Sequence, residues 1–312
     1  MRVAAVDCGT NSIRLLVADL DADAATLTEV ARRMTIVRLG EGVDRTRRLA
    51  PAALARTFAA CDDYAAVVRE TGAEVVRFVA TSASRDVENR DEFVAGVRER
   101  FGVEPEVVTG DDEATLSFTG ATRELAGSAL AEPFLVTDIG GGSTELVLGR
   151  PGAAPVAARS VDVGCVRMTE RHLHDDPPTA GQVASARADV EEAVRLAGET
   201  VPLGDTRTLV GLAGSVTTVA AMALDLPAYD RDRIHHARIP AAAVHRVAAR
   251  LLAMSREERA ALPFMHPGRV DVIGAGALVL AVLMEHLPVD DVVVSEHDIL
   301  DGIAWSLVDG AR

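Results

Sequence analysis

Two segments of the sequence repeat a pattern of residues suited to holding a phosphate group. They are Val6-Asp7-Cys8-Gly9-Thr10-Asn11-Ser12-Ile13-Arg14-Leu15-Leu16 and Thr137-Asp138-Ile139-Gly140-Gly141-Gly142-Ser143-Thr144-Glu145-Leu146-Val147. In register, Asp7 matches Asp138, Gly9 matches Gly140, Ser12 matches Ser143 and Leu15 matches Leu146. Glycine lets backbone N–H groups come close to an anion, and a tight turn aims several of them together. Ser12 and Ser143 add hydroxyl donors. An aspartate repels phosphate, so Asp7 and Asp138 suit a divalent metal or an oriented water instead. An ordinary hairpin turn explains one copy equally well, but chance rarely repeats both the aspartate and the serine.

Other residues offer chemistry with a plainer alternative beside it. Gly214 and Ser215, in Gly211-Leu212-Ala213-Gly214-Ser215, open a helix after a buried strand, which makes either an anion site or a structural cap. Asp111-Asp112-Glu113 begins another helix, where the acids complement the dipole or one serves as a general base. Arg85 follows a strand and suits bidentate phosphate recognition, or a surface ion pair with Asp86 or Glu88. Arg269 carries the same two readings. Glu296 and His297 stand at the end of the last strand, where a lone histidine is more often scaffold than catalyst. His235-His236 has no paired ligand spacing, so no metal is expected there.

These residues need a frame of strands and helices. Each hairpin follows an apolar run and leads into another, which reads as strand, glycine turn, strand. Buried strands are predicted at 75–80, 209–212 and 292–294, and a short one at 107–108. Apolar periodicity predicts helices over 51–71, 91–101, 180–200, 216–224, 240–254, 272–286 and 299–308. Alternating strands and helices argue for an α/β class, and the repeat argues for a duplicated fold. A chain of 312 residues suits two domains. The predicted boundary lies in the stretch 127–133, giving domains 1–128 and 129–312, with the helix near 298–312 packing back on the first.

Hydrophobic residues make up 48% of the chain and charged residues 25%, as in soluble folded proteins. The net charge of −15 disfavours nucleic acid as a partner. It also means that an anionic ligand depends on local cations, helix N-termini or a metal. The apolar run at 270–284 is too short to span a bilayer, and no signal peptide is read at the start. Expectation is therefore a cytoplasmic protein without membrane contact. Cys8, Cys61 and Cys165 are too scattered for a disulfide framework or a zinc site, and Cys8 and Cys165 lie in apolar runs suited to packing.

The two hairpins resemble the phosphate motifs of the actin, hexokinase and Hsp70 superfamily. Within it, four segments resemble the exopolyphosphatase and guanosine pentaphosphate phosphatase (Ppx/GppA) family. They are Asp7-Cys8-Gly9-Thr10-Asn11-Ser12-Ile13-Arg14, Ala80-Thr81-Ser82-Ala83-Ser84-Arg85-Asp86-Val87-Glu88-Asn89, Thr109-Gly110-Asp111-Asp112-Glu113-Ala114 and Asp138-Ile139-Gly140-Gly141-Gly142-Ser143-Thr144-Glu145. Val294-Ser295-Glu296-His297-Asp298-Ile299-Leu300-Asp301-Gly302 also fits. The resemblance covers nearly the whole chain in order. It implies duplicated actin-like (ribonuclease H-like) domains with mixed five-stranded sheets, flanked by helices, and an active-site cleft between the domains.

The resemblance further implies roles. Glu113 falls at the family's catalytic glutamate, and Arg85 at a phosphate-contacting arginine. Asp138 and Glu145 fall at acidic positions tied to Mg²⁺ (or Mn²⁺) and water, with Asp7 as the matching acid of the first hairpin. Gly9, Asn11, Ser12 and Arg14, and Gly140, Gly141, Gly142 and Ser143, fall on the phosphate loops. Arg269 falls at a further phosphate contact, and Gly214 and Ser215 join the phosphate-binding set on their place at a helix N-terminus. Asp112 departs from the family, which usually has a second glutamate there. The chain resembles the short members, without the C-terminal helical extension associated with gripping long polyphosphate. Implied substrates are inorganic polyphosphate and pppGpp (guanosine pentaphosphate, yielding the tetraphosphate). A small-molecule kinase of the superfamily and a non-catalytic alarmone sensor are the alternatives. Family members are often homodimers, and no seam in the sequence marks such an interface.

Overall fold

A computed structural model describes residues 1–21, 26–85 and 87–309, so Asp86, one expected partner of Arg85, lies outside the described residues. The chain divides into two compact units: Met1–Gly120 with the C-terminal segment from Ile299, and Ala121–Asp298.

The first unit is built on β1 (Arg2–Cys8), β2 (Ser12–Asp21), β3 (Thr26–Ile36), β4 (Val75–Ala80) and β5 (Glu106–Val107), in the order β3-β2-β1-β4-β5. β1 pairs antiparallel with β2 and parallel with β4. A central strand is buried on both faces, and β1 is apolar almost throughout for that reason. Side chains alternate across a strand, so β1 feeds two cores. Ala4, Val6 and Cys8 join Ile13, Leu15 and Phe78 on one face. Val3 and Ala5 join Leu16, Leu116 and Trp305 on the other. The first face is covered by the helix Pro51–Thr71, whose Leu54, Cys61, Tyr64 and Val68 point inward at helical spacing. Proline at its start and left-handed Gly72 (φ 70°) at its end set the bounds that periodicity predicted. The second face is covered by the C-terminal helix Ile299–Asp309.

The second unit repeats the plan with β6 (Phe134–Ile139), β7 (Thr144–Gly149), β8 (Ala157–Val161), β9 (Thr208–Leu212), β10 (Arg238–Pro240) and β11 (Asp291–Val294), in the order β10-β11-β9-β6-β7-β8. β6 pairs antiparallel with β7 and parallel with β9, as β1 does with β2 and β4. The sheet has six strands, not the expected five. The addition is β10, three residues antiparallel to β11, too short to leave a period in the sequence. The apolar helix Ile273–Glu285 is buried along nearly its whole length, which accounts for the long apolar run at 270–284. Among the described residues no helix is long and apolar enough to cross a membrane. The α/β class and its duplication are as the sequence predicted.

Candidate active site

In the first unit the turn from Gly9 to Ser12 closes with a Gly9 N–H to Ser12 C=O bond of 2.9 Å. Its carbonyls are tied down: Asn11 O accepts from the amides of Val37 and Arg38, and Thr10 O from that of Gly40. The Thr10 hydroxyl lies 2.9 Å from that of Ser82, on the short helix Ser82–Arg85. Asp7 and Arg14 are directly opposed across β1 and β2. Arg14 donates to Asp7 Oδ2 through Nε at 2.9 Å and Nη2 at 2.7 Å. The carboxylate expected to face a metal therefore already faces a guanidinium.

Arg85 and Glu113, distant in sequence, meet. Arg85 Nη1 donates to Glu113 Oε2 at 2.8 Å and to Val108 O at 3.1 Å. Both sit at the C-terminal edge of the parallel strands β1, β4 and β5, where α/β sheets place their ligands. Glu113 is 7% exposed. Its helix, Gly110–Thr122, starts with a reciprocal cap: Asp112 accepts from the Thr109 amide and hydroxyl, and the Thr109 hydroxyl accepts from the Asp112 amide. The shorter carboxylate at position 112 thus sets the first turn that carries Glu113.

In the second unit the turn from Gly140 to Ser143 closes in the same way, at 3.0 Å. Its carbonyls face the start of the helix Cys165–His172: Gly140 O accepts from the Cys165 amide, Gly141 O from those of Val166 and Arg167, and Gly142 O from Arg167 Nε at 2.8 Å. The amides of Gly141 and Gly142, by contrast, are bonded to no other described residue. A turn with every carbonyl held back and its amides left over is an anion cradle. Gly164 is required beneath it, because a side chain there would overlap the backbone of Gly141 and Gly142. Asp138 and Glu145 are directly opposed across β6 and β7 and are 6% and 1% exposed. Opposed residues project to the same face, so two buried carboxylates share one side of the hairpin. Ser160 donates to Glu145 Oε1 at 2.7 Å.

The third glycine loop is built from residues that sequence reasoning only partly placed. Ala213 takes a left-handed φ of 69°, which starts the helix Ala213–Ala223 earlier than periodicity predicted. The Arg269 guanidinium lies over Gly214, where a Cβ would come within 2.5 Å of it, and Nη1 donates to Thr218 Oγ1 at 3.3 Å. A cation held at the positive end of a helix is a favourable place for an anion. Ser215 instead turns its hydroxyl inward, against Gly276 and the Cys165 thiol.

Near the end of β11, Glu124, His235 and His297 place ligand-type atoms within 4.8 Å of one another. Polarity argues against a metal. His235 Nδ1 accepts the Glu296 amide at 3.1 Å, so the neutral ring carries its proton on Nε2, facing Glu124 at 3.4 Å. A ligating histidine needs the opposite arrangement. The hydrogen bond from His235, aided by His297, holds the Glu124 carboxyl below its usual range. Glu296 accepts from Tyr229 at 2.6 Å. Tyr229 and Arg167 carried no sequence signal, whereas the Thr109-to-Asp112 cap was readable as a spacing of three.

Comparison with known proteins adds the lineage. The profile of the Ppx/GppA phosphatase family matches residues 16–310. The chain belongs to this family. Exopolyphosphatase 2 of Mycobacterium tuberculosis is 54% identical, with 98% of each chain covered. The guanosine-5'-triphosphate,3'-diphosphate pyrophosphatase of Vibrio atlanticus is 28% identical over 99% of this chain and 60% of its own length. The crystal structure of an exopolyphosphatase-like protein matches with a TM-score of 0.95 at 41% identity, over the whole of both chains. The Ppx/GppA family member of Aquifex aeolicus matches at 0.82 and 28%, over 100% of this chain and 99% of its own.

Proposed function

We propose that this protein is a phosphoanhydride hydrolase that releases terminal orthophosphate from inorganic polyphosphate. The observation that carries the reading is the buried Glu113 held by Arg85 at 2.8 Å, in the same unit as the Gly9-to-Ser12 turn, whose carbonyls are tied down and whose Thr10 meets Ser82 of the Arg85 helix. Glu113 accepts a proton from a water as the water oxygen attacks the terminal phosphorus. The bridging P–O bond breaks, and its electron pair stays on the shortened chain. Arg85 orients Glu113 and offsets charge on the phosphoryl oxygens, and the Gly9-to-Ser12 turn of the same unit holds the departing phosphates. Asp138 and Glu145 fit a hard divalent cation: they are two buried, opposed oxygen donors. Bound there, Mg²⁺ or Mn²⁺ would offset the charge of phosphates held by the Gly140-to-Ser143 turn of the same unit. We place no metal on Asp7, whose Oδ2 is paired with Arg14.

Polyphosphate stands ahead of pppGpp because the relative named for the former is 54% identical and the one named for the latter 28%. The test is phosphate release from tripolyphosphate, long-chain polyphosphate and pppGpp in parallel, with Mg²⁺. Glu113→Gln keeps an acceptor for Arg85 and should lower release by about 10²–10⁴-fold. Undiminished turnover in that variant refutes the mechanism. ATP-dependent phosphorylation of a metabolite would favour a kinase, and tight pppGpp binding without turnover a sensor.

A further inference from the structure

We propose that the arginine-rich loop 37–49 is a second phosphate-binding element, which holds phosphates of a linear polyphosphate beyond the one being cleaved. The inference rests on the polyphosphatase reading and gives it a chain-length preference.

Charge is the first observation. Between Arg32 and Arg56 the sequence has seven arginines against two acids, in a chain of net charge −15. Some of these arginines are committed: Arg32 pairs with Asp301 at 2.8 Å and Arg56 with Glu41 at 2.9 Å. Arg48 is loosely held, 3.5 Å from Glu88 and 4.0 Å from Glu92. Arg45 and Arg47 are exposed, and their guanidinium groups bond to no other described residue.

Backbone geometry is the second. Arg38 and Arg47 have φ of 49° and 57°, in the left-handed region. A side-chain-bearing residue is disfavoured there relative to glycine or asparagine. Two arginines are therefore kept where a plain turn would use neither, which points to the side chains as the reason.

Position is the third. At one end the loop is fastened to the first glycine turn, by Val37 and Arg38 N–H to Asn11 O (3.0 and 2.9 Å) and Gly40 N–H to Thr10 O (2.9 Å). Gly40 packs so closely on the Thr10 side chain that a Cβ would overlap it. At the other end it is fastened to the segment that follows Arg85. Glu88 N–H donates to Arg47 O at 2.9 Å, while buried Asn89 accepts from Leu49 N–H at 2.9 Å and donates to Leu49 O at 3.1 Å. Arg56 braces the first of these ends through Val37 O at 2.8 Å. The loop is thus a fixed strap from the phosphate turn to the Arg85 segment, with its unpaired cations outward. A polymer with a charge at every unit meets such cations in series, whereas a short ligand ends at the turn. Against a repulsive overall charge, local cations decide binding.

Binding of long-chain polyphosphate and of tripolyphosphate to the full chain carrying Glu113→Gln, at several salt concentrations, tests this. The added change is Arg45→Ala with Arg47→Asn, asparagine being chosen because it tolerates the left-handed backbone. The long-chain Kd should rise about tenfold, at roughly threefold per surface ion contact. Its salt dependence should flatten by about 1.4 in log–log slope, at about 0.7 per contact on a single strand. The tripolyphosphate Kd should move by a clearly smaller factor, and Arg45→Lys with Arg47→Lys should restore most of the long-chain affinity. An unmoved long-chain Kd, or equal factors for both ligands, overturns the proposal. If the native protein binds long chains in this manner yet releases no phosphate, the hydrolase reading fails and the loop assignment stands.

Discussion

At the residue scale the two hairpins differ through one pair of opposed positions. In the first, Arg14 faces Asp7 and neutralises it. In the second, Glu145 faces Asp138, and two carboxylates are buried together. The first arrangement opposes unlike charges across the strands, and the second opposes like ones. The cysteines belong to the frame. Cys165 is wedged under the second turn, its amide on Gly140 O and its thiol on Ser215. Burial pushes all three thiols up, that of Cys61 to about 12, so little thiolate exists at neutral pH. A colorimetric thiol reagent should detect almost none in the native protein and all three in denaturant. Rapid native labelling would refute the packing role.

At the element scale, two helix contacts decide whether Glu113 is held. The reciprocal Thr109–Asp112 cap starts its helix. Gly302 of the C-terminal helix then packs on the same helix, where a Cβ would overlap Leu116 O. Gly302→Ala must push these helices apart, at a cost of about 1–3 kcal/mol. Chemical denaturation should show the lower stability, and phosphate release should fall with it because the Glu113 helix shifts. Unchanged stability would mean that the contact is looser than described. Asp112→Ala should weaken the cap by about 1 kcal/mol, visible as a lower denaturation midpoint.

At the scale of the whole molecule, the first unit is discontinuous. Val3, Ala5, Leu16 and Val79 lie under Ile299, Ile303, Ala304 and Trp305. Without that helix a complete sheet face would meet water, well beyond the apolar patch that a soluble domain tolerates. A fragment ending at Gly120 should therefore fail to fold alone, whereas the same fragment joined through a short linker to residues 299–309 should give a cooperative melt. A stable, monomeric 1–120 fragment would contradict this account of the core.

The sequence by itself determined the repeat, the α/β class, most helix bounds and the family. Each of these depends on local periodicity or on motifs contiguous in the chain, such as Asp138 to Ser143 and Thr109 to Ala114. Tertiary structure decided the pairings. Arg85 read equally as a phosphate contact or as an ion-pair partner of Asp86 or Glu88, and in the structure it reaches Glu113, because β4 and β5 lie side by side and end at one sheet edge. The sequence already had Arg14 where the second hairpin has Glu145, and strand register sets each of them directly opposite its aspartate. Ser215 matched an anion-site pattern, but Gly276 and Cys165, distant along the chain, draw its hydroxyl inward. Contacts of this kind depend on which chain segments become neighbours, and spacing along one segment does not encode that.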